Sequence, residues 1–165
     1  MRINSESLQV RLATSSDADL MAEYRLRFNL ELSPPQTPET IERLRADLTA
    51  YFRNHTDNGD FISVIAFAGD AVAGIGSMEP RIIPGNFKNP SGRWGFILNM
   101  YTVPEYRRHG VARTILDKLI ETGLQQGLTA FELLATKEGQ PVYEKAGFEI
   151  FPSPCMRYIP AGHED

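Results

Sequence analysis

The chain has 165 residues, of which 42% are apolar and 23% are charged, and its net charge of −4 gives a pI near 5.4. We expect one globular domain over residues 1–165. The negative charge excludes the overall phosphate attraction behind most non-specific nucleic-acid binding, and no stretch is apolar enough for a membrane span. Cys155 is the only cysteine, so an internal disulfide and a thiolate zinc cluster are excluded and a cytoplasmic setting is favoured.

Two helices are predicted in the first third of the chain. Apolar residues recur every fourth position over residues 20–28, after capping oxygens at residues 14–17, and this spacing predicts a helix that ends near Leu32. A second helix is predicted from two signals: Thr37 followed by a proline marks its start, and an apolar stripe runs along residues 41–52.

Strands dominate the middle of the chain. Residues 61–68 and 72–78 are rich in β-branched and aromatic residues and flank a Gly-Asp turn, which predicts an antiparallel hairpin. Residues 80–92 are rich in proline, glycine and asparagine and predict a surface loop. Residues 94–103 then predict an apolar strand.

The last third of the chain alternates between helix and strand. The most periodic helix begins near Gly110 and ends at Gly127. A short strand at residues 131–135 and a short helix at residues 141–146 follow. At least one final strand is expected within residues 148–158.

The junction between the strand at 94–103 and the next helix has the composition of a phosphate site. The first amides of a helix lack intrahelical partners and carry partial positive charge, so a turn that aims them outward binds anions. Gly110 allows close approach of the backbone, and Arg107 and Arg108 add charge. A Gly-x-Ala alone is more often a simple turn, and the segment matches neither the Rossmann pattern nor the P-loop.

Residues 103–112, Val-Pro-Glu-Tyr-Arg-Arg-His-Gly-Val-Ala, resemble the Arg/Gln-x-x-Gly-x-Gly/Ala signature of the GCN5-related N-acetyltransferase (GNAT) superfamily. The resemblance implies acetyl-CoA as cosubstrate, without a metal. It also implies an α+β fold, an α/β/α sandwich around a central mixed, mostly antiparallel sheet with a splayed strand, over about residues 8–159. Arg107 would open the turn, and the pyrophosphate would contact the backbone of the residues after it, which are Arg108, His109, Gly110, Val111 and Ala112.

The same resemblance assigns the preceding strand to the thioester and the pantetheine arm. The coenzyme-binding positions there are Met100, Tyr101, Thr102 and Val103. An amide of Met100 or Tyr101 aimed at the acetyl carbonyl would stabilise its developing negative charge. Asn99 is polar within an apolar strand, so it either bonds locally or faces the substrate.

Residues 141–148, Pro-Val-Tyr-Glu-Lys-Ala-Gly-Phe, resemble the second motif of the superfamily, whose tyrosine lies near the coenzyme sulfur. Tyr143 is therefore expected to contact the coenzyme and to donate a hydrogen bond or proton to the departing thiolate. The sequence names no clear base for the attacking amine. Glu79 is the candidate, and water is the alternative. Position in the chain suggests Arg27 and Glu31, together with Asn99, as acceptor-binding residues.

The sequence thus predicts direct transfer of an acetyl group from acetyl-CoA to a primary amine, most simply a small molecule. Three alternatives stay open: acetylation of a protein N-terminus or lysine, a coenzyme-binding sensor without activity, and an unrelated phosphate-binding domain. The resemblance allows a homodimer, although no apolar face demands one. No nucleic-acid or membrane partner is expected.

Overall fold

The computed structural model describes residues 8–160, which fall into two compact units that divide between Leu134 and Ala135. The second unit contains one helix, α4 (Gln140–Lys145). In chain order, the elements of the first unit are β1 (Leu8–Leu12), α1 (Ala18–Leu32), α2 (Pro38–His55), β2 (Ile62–Ala68), β3 (Ala71–Ile82), β4 (Arg93–Thr102), α3 (Val111–Gln125) and β5 (Ala130–Leu133).

The five strands form one sheet in the order β1-β2-β3-β4-β5. The first three pairings are antiparallel and the pairing of β4 with β5 is parallel, as expected for a mixed, mostly antiparallel sheet. The parallel ladder covers only Trp94–Ile97 of β4, which itself continues to Thr102. The carboxyl-terminal half of β4 therefore extends beyond β5, which ends at Leu133.

The helices of the first unit cover both faces of the sheet. On one face, Ile75 and Tyr101 form a buried cluster against which Tyr24 and Phe28 of α1 pack. On the other face, α3 lies so close that a Cβ on Gly76 would come within 2.5 Å of Ile115. Adjacent residues of a strand point to opposite faces, so β3 separates α1 from α3.

Most of the predicted elements are confirmed, with three differences. The hairpin strand β3 continues through Pro80 to Ile82, into the predicted loop. Proline is accommodated because β2 pairs no further than Met78, so this end of β3 needs no amide on that side. Strand β1 was not predicted, since its burial is incomplete and its apolar residues are few.

The final strand predicted within residues 148–158 is wrong. That segment has no regular structure, and residues 149–160 are exposed. Pro152 and Pro154 remove backbone donors from its middle, so alternation of apolar residues does not suffice for a ladder there. Within residues 8–160, no helix has the length and apolarity needed to cross a bilayer.

Candidate active site

The turn between β4 and α3 has an unusual backbone. A 3-10 turn at Pro104–Tyr106 follows the strand, and both Arg108 (φ 65°) and Gly110 (φ 83°) are left-handed. A non-glycine residue pays about 1 kcal/mol for that conformation. Left-handed residues that alternate with other conformations turn successive N–H groups toward one concave side, a geometry that binds anions. The turn therefore has the backbone shape of an anion-binding nest.

The N–H groups of this turn are available. Among the described residues, the amides of 108–112 donate to no acceptor, and the first helical bond runs from Thr114 N to the Gly110 carbonyl at 3.0 Å. The helix dipole of α3 adds about half a positive charge at the same end. We call the N–H groups of residues 108–112 the amide nest.

Side chains around the amide nest stabilise its shape. His109 donates through Nδ1 to the Arg107 carbonyl at 2.8 Å, which uses its ring locally. Arg107 donates through Nε to the Thr102 carbonyl at 3.0 Å. Thr114 Oγ1 donates to the Gly110 carbonyl at 3.1 Å. His109 is therefore left with its backbone N–H as its contribution to a ligand.

Glu31 connects the end of α1 to the amide nest. Its Oε1 accepts from the Tyr101 hydroxyl at 2.8 Å, and its Oε2 accepts from Arg107 Nη2 at 2.6 Å. Burial alone would raise the pKa of Glu31, but the hydrogen bonds from Arg107 and Tyr101 outweigh it and the pKa is lowered. Burial, with the bond to the Glu31 carboxylate, raises the pKa of Tyr101 to about 12. Glu31 thus holds the signature arginine in place.

This contact was missed by sequence reasoning, which predicted Glu31 as a ligand of the acceptor. Glu31 and Tyr101 are separated by 70 positions, and no local pattern joins them. Only the packing of α1 along β4 brings the carboxylate to Arg107.

A β-bulge lies in β4 next to the amide nest. Tyr101 pairs with Ile75 and Leu98 pairs with Ser77, so Asn99 and Met100 together face the single residue Gly76. Asn99 has φ 57°, and asparagine is among the few non-glycine residues that adopt this conformation readily. The bulge changes the direction of the backbone of residues 99–101, just beyond the last pair between β4 and β5.

The Asn99 side chain is buried, with 3% of its surface exposed. Its Nδ2 donates to Ser77 Oγ at 3.2 Å, and Ser77 Oγ shares a 2.8 Å hydrogen bond with Ser63 Oγ. Its Oδ1 has no hydrogen-bond partner in the described part of the chain. A buried acceptor left unpaired costs about 1–3 kcal/mol. Asn99 therefore bonds locally through its amide nitrogen, while its Oδ1 is buried and unpaired.

The remaining residues of the predicted pantetheine strand differ in what they offer. The Val103 amide donates to the Ala73 carbonyl at 3.0 Å, and the Val103 carbonyl accepts from Tyr106 N at 2.9 Å. Both backbone groups of Val103 are therefore engaged within the protein. Met100 and Thr102 lie on the part of β4 beyond the parallel ladder.

Glu79 and Arg27 are both ion-paired. Glu79 accepts from Arg81 Nη2 at 2.9 Å, and the Arg81 guanidinium stacks 4.0 Å above the Phe96 ring. Arg27 Nε donates to Glu23 at 2.8 Å, and its guanidinium lies 4.8 Å from the Tyr24 ring. Neither side chain is brought to the bulge by a contact, so their predicted roles rest on the sequence alone.

Tyr143 belongs to the second unit. It lies on α4, and its ring packs against Phe148 with centroids 6.1 Å apart. Burial raises the pKa of the Tyr143 phenol, so it is protonated at neutral pH and can donate a hydrogen bond. Over residues 8–160, no group of His, Cys, Asp and Glu side chains is arranged to hold a metal ion.

A mixed sheet with a bulged, partly unpaired strand and an amide nest at the next helix defines a class of protein: an α+β domain whose sheet edge adjoins a turn with the backbone shape of an anion site. The comparisons identify that class. The model of the Acetyltransferase (GNAT) family matches residues 22–148. The chain belongs to this family of acetyl-CoA-dependent N-acetyltransferases. The resemblance read from residues 103–112 is thereby confirmed.

Solved structures agree with the family assignment. A predicted acetyltransferase from Clostridium acetobutylicum, solved with acetyl-CoA, is 28% identical, with 92% of this chain and 96% of that chain covered and a TM-score of 0.80. A GCN5-related N-acetyltransferase from Ralstonia eutropha JMP134 is 18% identical, with 92% and 98% covered and a TM-score of 0.78. An aminoglycoside acetyltransferase from a soil metagenome is 19% identical, with 94% and 99% covered and a TM-score of 0.70. No curated protein matches the sequence.

Proposed function

We propose that the amide nest holds the pyrophosphate of acetyl-CoA, and that the chain transfers the acetyl group directly to a primary amine of a small molecule. The observation that carries this proposal is the turn at residues 108–112, which combines two left-handed residues with N–H groups that donate to no other described residue. Gly110 fits such a role because its left-handed backbone brings the amides together without a side chain in the way.

Arg108 is the charged partner of the pyrophosphate in this proposal. The Arg107 side chain is already engaged by Thr102 and Glu31, so it sets the position of the turn. The exposed Arg108 has no such contact among the described residues, and it adds a formal charge beside the amide nest. Val111 and Ala112, at the start of α3, contribute their N–H groups, while the Val111 side chain is buried.

The thioester is placed at the bulge of β4. Acetyl-CoA supplies an activated acetyl group, and an amide of Met100 or Tyr101 aimed at its carbonyl would stabilise the negative charge that develops during attack. One such donor contributes on the order of 3 kcal/mol to the transition state. Met100 and Thr102 lie where β4 has no partner from β5, so their backbone is suited to the pantetheine arm.

Transfer needs a proton acceptor and a proton donor. As the amine nitrogen bonds to the carbonyl carbon, it loses a proton, and the carbon–sulfur bond breaks to release a thiolate that gains one. Tyr143 is proposed as the donor, since its buried phenol stays protonated at neutral pH. Glu79 or a water takes the amine proton. Glu79 is already ion-paired with Arg81 within β3, which favours water as the base.

The experiment is amine-dependent release of free thiol from acetyl-CoA over a panel of small amines, lysine peptides and peptides with a free N-terminus. Direct transfer predicts release that requires an amine, with an acetylated product of the expected mass. Release only with peptides would replace the small amine by a protein acceptor. Binding of acetyl-CoA without release from any amine would show a sensor instead of an enzyme.

A further inference from the structure

One stripe of α1 changes from apolar to polar as it passes over the sheet. Residues 18, 22, 25 and 29 share one face of a helix, because their spacing follows its period. Ala18 and Ala22 are buried, with 1% and 0% of their surface exposed. The same stripe then continues as Arg25 and Asn29, which are half-buried. A guanidinium therefore occupies the inward stripe of α1.

Residues of α1 near Arg25 pack against β4 on both sides of the bulge. Before Arg25, Met21 and Ala22 belong to the buried cluster against which Leu98 packs. On either side of Arg25 in sequence, the rings of Tyr24 and Phe28 lie 6.3 Å and 6.2 Å from the Tyr101 ring.

Asn99 lies between Leu98 and Tyr101, and Arg25 lies on α1 between Ala22, a member of the cluster that Leu98 contacts, and Phe28, whose ring is near Tyr101.

Arg25 has no anionic partner among residues 8–160. Its guanidinium lies 5.5 Å from the Phe28 ring, and no hydrogen bond or ion pair joins it to another described residue. Burial lowers the pKa of Arg25, with no carboxylate close enough to oppose the effect. A partly buried cation without a partner is costly, and a guanidinium is shaped to bind a carboxylate or a phosphate through two parallel hydrogen bonds.

The carboxylates of α1 are all committed elsewhere. Asp19 pairs with Arg53 at 3.7 Å, Glu23 pairs with Arg27 and with Arg45 of α2, and Glu31 is held by Tyr101 and Arg107. None of these groups is left to neutralise Arg25. Among the described residues, α1 therefore carries one partly buried cation without a counter-ion, Arg25, and the β4 strand that α1 covers carries one unpaired amide oxygen, Asn99 Oδ1.

We propose that Arg25 and Asn99 form a subsite for an acceptor that carries an anionic group, a carboxylate or a phosphate, in addition to its amine. Arg25 binds the anionic group, and Asn99 Oδ1 accepts a hydrogen bond from the amine, whose lone pair is then directed at the thioester. Asn99 immediately precedes Met100 and Tyr101, so an amine held by Asn99 lies next to the proposed thioester position. This inference rests on the proposed function, and it names the acceptor class.

The test compares matched pairs of amines in the presence of acetyl-CoA. One pair is an α-amino acid and its amide, and the other is a hexosamine phosphate and the free hexosamine. The wild-type protein should prefer the anionic member of one pair, and which pair shows the preference tells a carboxylate from a phosphate.

Arg25→Met should lower kcat/KM for the preferred anionic member by roughly 10- to 100-fold, through KM, as for loss of a hydrogen bond to a charged group. The neutral members should change little. Arg53→Met is the matched control, because Arg53 is exposed on α2 and pairs only loosely with Asp19.

Asn99→Gly tests the other half of the subsite. Glycine keeps the left-handed backbone of the bulge and removes the amide, so the fold is retained while kcat for all amines falls. Two results would overturn the subsite. One is a wild-type protein that prefers neither anionic member, and the other is an Arg25→Met variant whose kcat/KM falls equally for the anionic and the neutral member.

The two proposals fail in different ways. If acetyl-CoA binds but no amine is acetylated, transfer is disproved, and calorimetric titration of each pair into the acetyl-CoA-loaded protein then decides the subsite. Binding of an anionic member that Arg25→Met abolishes supports it, and equal binding of both members refutes it. If amines are acetylated without regard to charge, transfer stands and the subsite falls.

Discussion

The amide nest and the proposed acceptor subsite are built in different ways. The nest takes all of its proposed ligand groups from five consecutive residues, 108–112, and uses main-chain atoms. The proposed subsite instead combines the side chains of Arg25 on α1 and Asn99 on β4, and Asn99 is held by Ser77, which bonds Ser63. A site made from one stretch of backbone can be predicted from a short sequence pattern. A site assembled from distant side chains can be identified only from the folded structure.

The largest effect is expected from Gly110→Val. The left-handed backbone at φ 83° disfavours any β-carbon, and a branched one is disfavoured most. We expect the variant to stay folded and to lose detectable binding of CoA, with no thermal stabilisation by the coenzyme. Differential scanning fluorimetry with and without CoA measures both properties. An unchanged stabilisation would show that the nest is not the coenzyme site.

Tyr143→Phe should have the next largest effect. Removing the phenol proton should lower kcat by about 100-fold, at the lower limit of general acid catalysis, because a thiolate is a good leaving group. The KM for acetyl-CoA should change little, since the ring is kept. Steady-state kinetics with the best amine measure the split. A fall in stability with kcat intact would assign Tyr143 to packing against Phe148 instead.

The smallest effect is expected from the Glu31→Gln variant. The ion pair with Arg107 is about half exposed, so its contribution after solvent screening is about 0.5–1 kcal/mol. Because the folded-state pKa of Glu31 is lowered, this stability is present above its unfolded pKa and is lost as pH falls through the folded pKa.

Urea unfolding of the wild type and the variant between neutral and acid pH checks this expectation for Glu31. The difference in the free energy of unfolding between the two proteins should become smaller as the pH falls. A difference that does not depend on pH would exclude the carboxylate charge as its source.

Local signals predicted much of the fold. The helix α3, the hairpin of β2 and β3, and the turn at residues 107–112 were legible because apolar period, turn residues and a helix start coincide in each. Strand β1 was missed because it is partly exposed and depends on β2 for its pairing. The strand predicted in residues 148–158 failed because the prolines there outweigh the alternating pattern.

The site was predicted unevenly for the same reason. Asn99 stood out as a polar residue in an apolar strand, but its left-handed bulge depends on the register with Gly76. The spacing of Arg25 from Ala18 and Ala22 can be read from the sequence and puts it on the same stripe of α1. The environment of its guanidinium cannot be read there, because it depends on what packs against the helix. Glu31 had none, because its partners are set by tertiary packing.

The main-chain amides themselves give the most direct measurement. In a titration followed by amide chemical shifts, CoA should move the signals of residues 108–112 strongly, and pantetheine, which lacks the pyrophosphate, should leave them in place while it shifts those of β4. CoA that binds without moving the amides of residues 108–112 would contradict the account.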